Sequence, residues 1–214
     1  PQGEGGPSAN YSPLDGGAPP MVEAEVPVFH DAPGIMARMP ITRQLWTGTT
    51  VIDTVIPIGR GQRELILGDR MPGKPSLAID AIVSQRDHHV LCLYCCVGQA
   101  QHKLQQVIHF LREHRSLAHT VIVAAPASRT ASEQFLAPYA AAAMGEYFMS
   151  QGHDVLVVFD DLSKHAWAYR ELSLLLEQPP GREAYPGVTF YLQAQLMERA
   201  GQLTPALGGG SMTF

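Results

Sequence analysis

The chain has 214 residues, 45% of them hydrophobic and 16% charged, which is enough apolar material for one sizeable core but no run long enough for a spanning helix. A net charge of −5 excludes a nucleic-acid binder that works mainly by neutralising phosphates. The negative excess lies ahead of Arg38, where Glu4, Asp15, Glu23, Glu25 and Asp31 occur and no Lys or Arg does.

From Pro1 to about Gly34 the composition is Pro, Gly, Ser and acid with little periodicity, which predicts an irregular leader that packs little. The first residues carry neither a basic patch nor an apolar signal core, so no targeting segment is expected. From residue 35 to 214, short apolar runs alternate with longer amphipathic ones, the pattern of an α/β domain with a mainly parallel sheet. Strands are expected at Glu64–Leu67, His89–Cys95, Thr120–Ala124 and Asp154–Phe159. Helices are expected over Lys74–Gln85, Lys103–His114, Ser132–Ser150 with an interruption at Pro138, Lys164–Glu177 and Thr189–Gln202. The last residues, Gly208–Phe214, read as a turn entering one more strand.

Gly68-Asp69-Arg70-Met71-Pro72-Gly73-Lys74 follows a predicted strand and opens a predicted helix, the context that gives G-x-x-x-x-G-K its meaning. Such a loop binds phosphate because its glycines let the backbone curl around the anion, the helix N-terminus presents free N–H groups, and the Lys adds a point charge. The next position should carry the Ser or Thr hydroxyl that ligates Mg²⁺, and here it is Pro75. Pro72 and Pro75 together remove two amide donors, each worth roughly 1.5–3 kcal/mol to a charged acceptor, or about two to four orders of magnitude in affinity. Ser76 is adjacent, but one residue along a helix turns a side chain by about 100°. The residues from Gly68 to Ser76 are the candidate phosphate loop.

The apolar strand at 154–159 ends in Asp160-Asp161. A carboxylate at such a strand end orients Mg²⁺ or its water, the role assigned to Asp160; Asp161 starts the next helix and reads as its N-cap. Cys92, Cys95 and Cys96 form no disulfide framework, and on a strand Cys92 and Cys95 face opposite ways, so they read as core thiols rather than a chelate. The nine histidines show no zinc spacing, and no Gly-x-Ser-x-Gly nucleophile site occurs.

At these residues the sequence resembles the alpha subunit of the F-type rotary ATP synthase. The matching phrases include Ala32-Pro-Gly-Ile35, QLWTGTTVIDTVI from Gln44 to Ile56, Pro57-Ile-Gly-Arg-Gly-Gln-Arg-Glu-Leu-Ile66, Met144-Gly-Glu-Tyr-Phe148, Phe159-Asp-Asp-Leu-Ser-Lys164 and Pro179-Pro-Gly-Arg-Glu-Ala-Tyr-Pro-Gly187. The resemblance implies a RecA-like P-loop domain with a mainly parallel central sheet lacking its last strands. It further implies a ring shared with beta-type subunits, and ATP or ADP with Mg²⁺ held without hydrolysis. It places the protein on the cytoplasmic face of a bacterial inner membrane or the matrix side of a mitochondrial one, touching the membrane only through the complex. Gln99 falls where the catalytic subunits of the family carry the Glu that polarises the attacking water, and an amide cannot accept that proton. The sequence departs from the family at Pro72, Pro75, Ala100-Gln-His102, Val188 and Gln193-Ala-Gln195. These departures keep a second reading open, a degenerate paralogue that binds no nucleotide and acts as a structural or interaction module. A hexameric export or helicase-like motor of the same fold is disfavoured by Gln99 and by the lack of a basic channel.

Overall fold

The computed structural model describes residues 12–18, 24–68, 73–179, 181 and 185–214. Expectations that fall on residues 1–11, 19–23, 69–72, 180 and 182–184 therefore lie outside the described residues. Ahead of the main sheet come a two-residue pair, β1 (Gln44–Leu45) and β2 (Ile58–Gly59), flanking the short helix α1 (Thr50–Val55), and then α2 (Lys74–Ser84). The main sheet is built from β3 (Val90–Val97), β4 (Thr120–Ala125), β5 (Asp154–Asp160), β6 (Gly201–Gln202) and β7 (Ser211–Thr213). Its spatial order is β4-β3-β5-β7-β6, parallel except for β6 against β7. Four helices complete the chain: α3 (Gln101–Glu113), α4 (Ala131–Ser150), α5 (Leu162–Leu175) and α6 (Thr189–Glu198).

β3 is a continuous apolar run because parallel strands with helices on both faces bury every side chain. Alternate residues feed two cores. Cys92, Tyr94 and Cys96 pack with Ile79 and Ile82 of α2 and with Leu104, Val107 and Leu111 of α3. Leu93, Cys95 and Val97 face the other way, onto Ala137, Ala141 and Ala142 of α4 and Leu196 of α6. All three thiols are free and buried, Cys92 and Cys95 on opposite faces as strand parity requires. Among the described residues no helix is long and apolar enough to cross a membrane.

The structure corrects four local expectations. Residues 64–67 are extended but form no named strand. The Glu64 N–H donates to the Phe214 carbonyl at 2.9 Å and the Phe214 N–H to the Gln62 carbonyl at 3.0 Å. Beyond these bonds Leu65-Ile66-Leu67 has no neighbouring strand among the described residues. Helix α4 runs unbroken through Pro138. Burial of Pro138 and its neighbours Ala137, Tyr139 and Ala140–Ala143 outweighs the roughly 3 kcal/mol an interior proline costs. Helix α6 stops at Glu198 rather than Gln202, because the Arg38 guanidinium donates to the Ala200 carbonyl at 2.6 Å and to that of Glu198, leaving Gly201-Gln202 to pair with β7. Finally, Val28 packs on the core, Phe29 lies 4.8 Å from the Tyr139 ring, and the buried Arg199 donates to the Val28 carbonyl at 3.0 Å. An apolar pair inside a Pro/Gly-rich stretch carries no periodicity, so this docking is invisible in the sequence.

Candidate functional site

The connection leaving β3 runs into α3 on one face of the sheet, whereas α5, which follows β5, packs against α4 on the other. β3 and β5 are neighbours, so their C-terminal ends flank a topological switch point, the crevice where open α/β sheets bind ligands. Gln99 follows β3 and Asp160 ends β5, and the structure brings them together: the Gln99 Nε2 donates to Asp160 Oδ1 at 3.0 Å and approaches Asp161 Oδ2 at 3.4 Å. Asp160 also accepts from the Tyr94 hydroxyl, at 2.5 Å on Oδ2. Each oxygen of this carboxylate thus holds one donor, and further lone pairs remain for a water or a cation.

Two local devices place these groups. Gly98 turns the chain out of β3 at φ +62°, and a Cβ there would come within 2.9 Å of both Gln134 Oε1 and Lys164 Cβ, so glycine alone lets the loop lie this close to α4 and α5. Asp161 caps α5 by accepting the Lys164 N–H at 2.8 Å, as its position at a helix start predicts. The Asp160–Asp161 peptide bond is cis.

The candidate phosphate loop is described in part. Asp69, Arg70, Met71 and Pro72 lie outside the described residues. Gly68 precedes them on an exposed, irregular segment, and Gly73 adopts φ +137° immediately before α2; among the described residues, its chain neighbours aside, nothing lies within 4 Å of where its Cβ would stand. A glycine with positive φ at a helix N-terminus is the local geometry that suits a phosphate group. Lys74 opens the helix, and Pro75 and Ser76 occupy its exposed first turn. Proline is sterically at home there and removes one of the free N–H groups.

Around the site the chemistry is that of buried, protonated donors. Burial, reinforced by the Asp160 carboxylate and its hydrogen bond, drives the Tyr94 phenol far above its ordinary value, so it stays protonated and donates to Asp160. Burial and then Asp160 push the Cys96 thiol up to about 12, which makes it inert as a nucleophile. Among the described residues no group of three His, Cys, Asp or Glu side chains converges to hold a metal. The sequence reading missed Tyr94. The signal was present: Tyr94 interrupts an otherwise aliphatic and thiol run, shares strand parity with Cys96, and Cys96 is paired with Asp160.

Comparison with known proteins agrees with this architecture. Residues 48–214 match the family described as ATP synthase alpha/beta family, nucleotide-binding domain. The chain is 54% identical over 200 residues to ATP synthase subunit alpha 2 of Nitrosospira multiformis, covering 94% of this chain and 39% of that protein. It is 52% identical over 201 residues to ATP synthase subunit alpha of Caldanaerobacter subterraneus subsp. tengcongensis, covering 94% and 40%. It is 50% identical over 210 residues to ATP synthase subunit alpha of Anaplasma marginale, covering 94% and 41%. The chain therefore spans about two-fifths of the length of these relatives. With a helix-covered parallel sheet, paired acidic and amide groups at its switch point and a match over most of its residues, the chain belongs to the ATP synthase alpha/beta family, within its nucleotide-binding domain.

Proposed function

We propose that this chain is a non-catalytic nucleotide-binding unit of the alpha type, serving a proton-translocating rotary ATP synthase in a ring shared with beta-type subunits. The observation that carries the reading is the Gln99 amide at the mouth of the switch point, whose NH₂ donates to Asp160 at 3.0 Å and to Asp161 at 3.4 Å. A catalytic site needs a proton acceptor there to orient the attacking water, and a carboxamide supplies none. Nucleotide held at this position is therefore expected to persist unhydrolysed.

The candidate binding residues are Gly68 to Ser76, with Gln99 beside them. Gly73 and the first turn of α2 fit a phosphate group through the positive φ of the glycine and the free N–H groups of the helix. Asp160 fits Mg²⁺ as a single carboxylate ligand, in the manner of sites that take their remaining ligands from water and nucleotide phosphates. Bound there, Mg²⁺ would neutralise phosphate charge and fix the phosphate orientation. The chain's own residues do the rest. Tyr94 and Gln99 hold the Asp160 carboxylate, Asp161 caps α5, and Gly98 brings the β3 loop against Lys164. In a ring of this kind the protein would stand on the cytoplasmic or matrix side of the membrane and touch it through other subunits, with no nucleic-acid partner.

Pro75, in the first turn of α2, favours the second reading, a structural module that binds no nucleotide, because it withdraws an amide from the helix end. Titration calorimetry with ATP and with ADP, with and without Mg²⁺, separates the two when run beside a variant carrying Pro72→Thr and Pro75→Thr. Saturable binding by the natural chain, tightened by Mg²⁺, is the expected result. Binding by the double variant alone would transfer the function to contacts with other subunits.

A further inference from the structure

The geometry points to Tyr94 as the positioning residue of the nucleotide site: its buried hydroxyl fixes the Asp160 carboxylate in the orientation that receives the cation accompanying the nucleotide. This rests on the proposed nucleotide-binding role and identifies a residue that acts through Asp160 rather than on the ligand. Tyr94 is 1% exposed, and its ring is clamped between the sheet and the helices α2 and α3. Tyr94 pairs in register with Val158 and Cys96 with Asp160, so Tyr94 and Asp160 share one face of the sheet two residues apart along it. The phenol spans that step and reaches Asp160 Oδ2 at 2.5 Å.

A buried hydroxyl requires an acceptor, and an anionic one makes the bond short and strong. The two donors on Asp160 differ in kind. Tyr94 has two side-chain torsions and a packed ring, so it holds Oδ2 rigidly. Gln99 is half-buried on a loop, and its amide divides between Oδ1 of Asp160 and Oδ2 of Asp161, so it is the donor able to yield. The Asp160 carboxylate is thereby held in one orientation, with lone pairs to spare, before any cation arrives. Partners that orient a metal-ligating carboxylate typically contribute a factor of about 10–100 to metal affinity.

The test is a double-mutant cycle of Tyr94→Phe and Asp160→Asn, read as ADP affinity by calorimetry in excess Mg²⁺ and in EDTA. In Tyr94→Phe the gain in affinity from Mg²⁺ is expected to fall by about tenfold or more, with affinity in EDTA unchanged. Asp160→Asn should lose the gain, and the double variant should behave as Asp160→Asn alone, because Tyr94 works only through that carboxylate. A full Mg²⁺ gain in Tyr94→Phe, or an equal loss of affinity in EDTA, overturns the positioning role and leaves the nucleotide-binding reading standing. Absence of ADP binding to the natural chain overturns both. Should Tyr94→Phe fail to fold, the unaltered chain with ¹³C-labelled tyrosine supplies the readout. The Tyr94 Cζ resonance should shift when Mg²⁺ joins the ADP complex, and an unmoved resonance overturns the proposal.

Discussion

His165 shows how one side chain can couple this fold to pH. It is 1% exposed on α5, stacked on Phe135 with ring planes 9° apart, and neither ring nitrogen reaches a hydrogen bond of ordinary geometry. Burial, opposed only weakly by the Phe135 carbonyl, lowers its pKa from 6.5 to about 4. The unfolded chain therefore takes up the proton first. Stability from this residue is full above pH 6.5 and is lost progressively as pH falls toward about 4. Denaturant titrations across that window should show a loss of about 3 kcal/mol that is absent in His165→Phe, which keeps the stack. An unchanged pH slope in the variant would assign the loss to other groups.

At the scale of elements, one carboxylate ties the N-terminal β1–β2 unit to the start of the main sheet. Asp154 opens β5 and accepts from Arg43 Nη1 at 2.7 Å, Arg60 Nη1 at 2.5 Å and Ser211 Oγ of β7 at 2.6 Å. Burial alone raises its pKa, and the bonds from Ser211, Arg43 and Arg60 outweigh that and hold it below its ordinary value. Its contribution is present above pH 3.8 and lost below it, an acid limb distinct from that of His165. Asp154→Ala leaves the half-buried Arg60 without its partner and is expected to cost about 3 kcal/mol, read as a shift in the denaturant midpoint. A shift near zero would show that contacts other than this carboxylate hold the β1–β2 unit, such as the Gly61 N–H bond to Thr213 Oγ1 at 2.8 Å.

The same scale shows where sequence patterns suffice. The helix start at Thr130-x-x-Glu133 is a capping box, with the Glu133 N–H donating to Thr130 Oγ1 at 3.3 Å and the Thr130 N–H to Glu133 Oε2 at 2.9 Å. That pattern was available in the residues, yet the expected helix began one residue late. The strand at β3 was legible because burial on both faces leaves a continuous apolar run. Residues 64–67 carry the same apolar signature without a strand, because a ladder also needs a neighbour and local composition does not name one.

Over the whole molecule, apolar side chains remain on the surface in groups. Val51, Val55 and Ile56 are exposed on and after α1, Leu65 and Leu67 on the extended segment before α2, and Leu174, Leu175 and Leu176 at the end of α5. Exposed apolar groups, where they lie together, mark interfaces or drive association. The isolated chain is expected to self-associate, with the mass seen by light scattering rising through a concentration series. A constant monomer mass would show that these groups are too dispersed to act together.

By itself the sequence determined the alternation of strands and helices, the core thiols, the phosphate-loop candidate, the Asp161 cap and the family, because periodicity, capping chemistry and long ordered phrases are local properties of a chain. Tertiary structure alone decided that Gln99 and Tyr94 converge on Asp160, that Arg38 ends α6, that Arg199 and Tyr139 dock residues 28–29, and that residues 64–67 stop short of a strand. Those contacts join residues far apart in the chain. Their energies come from burial and hydrogen bonds that exist only once the strand order has placed the partners side by side.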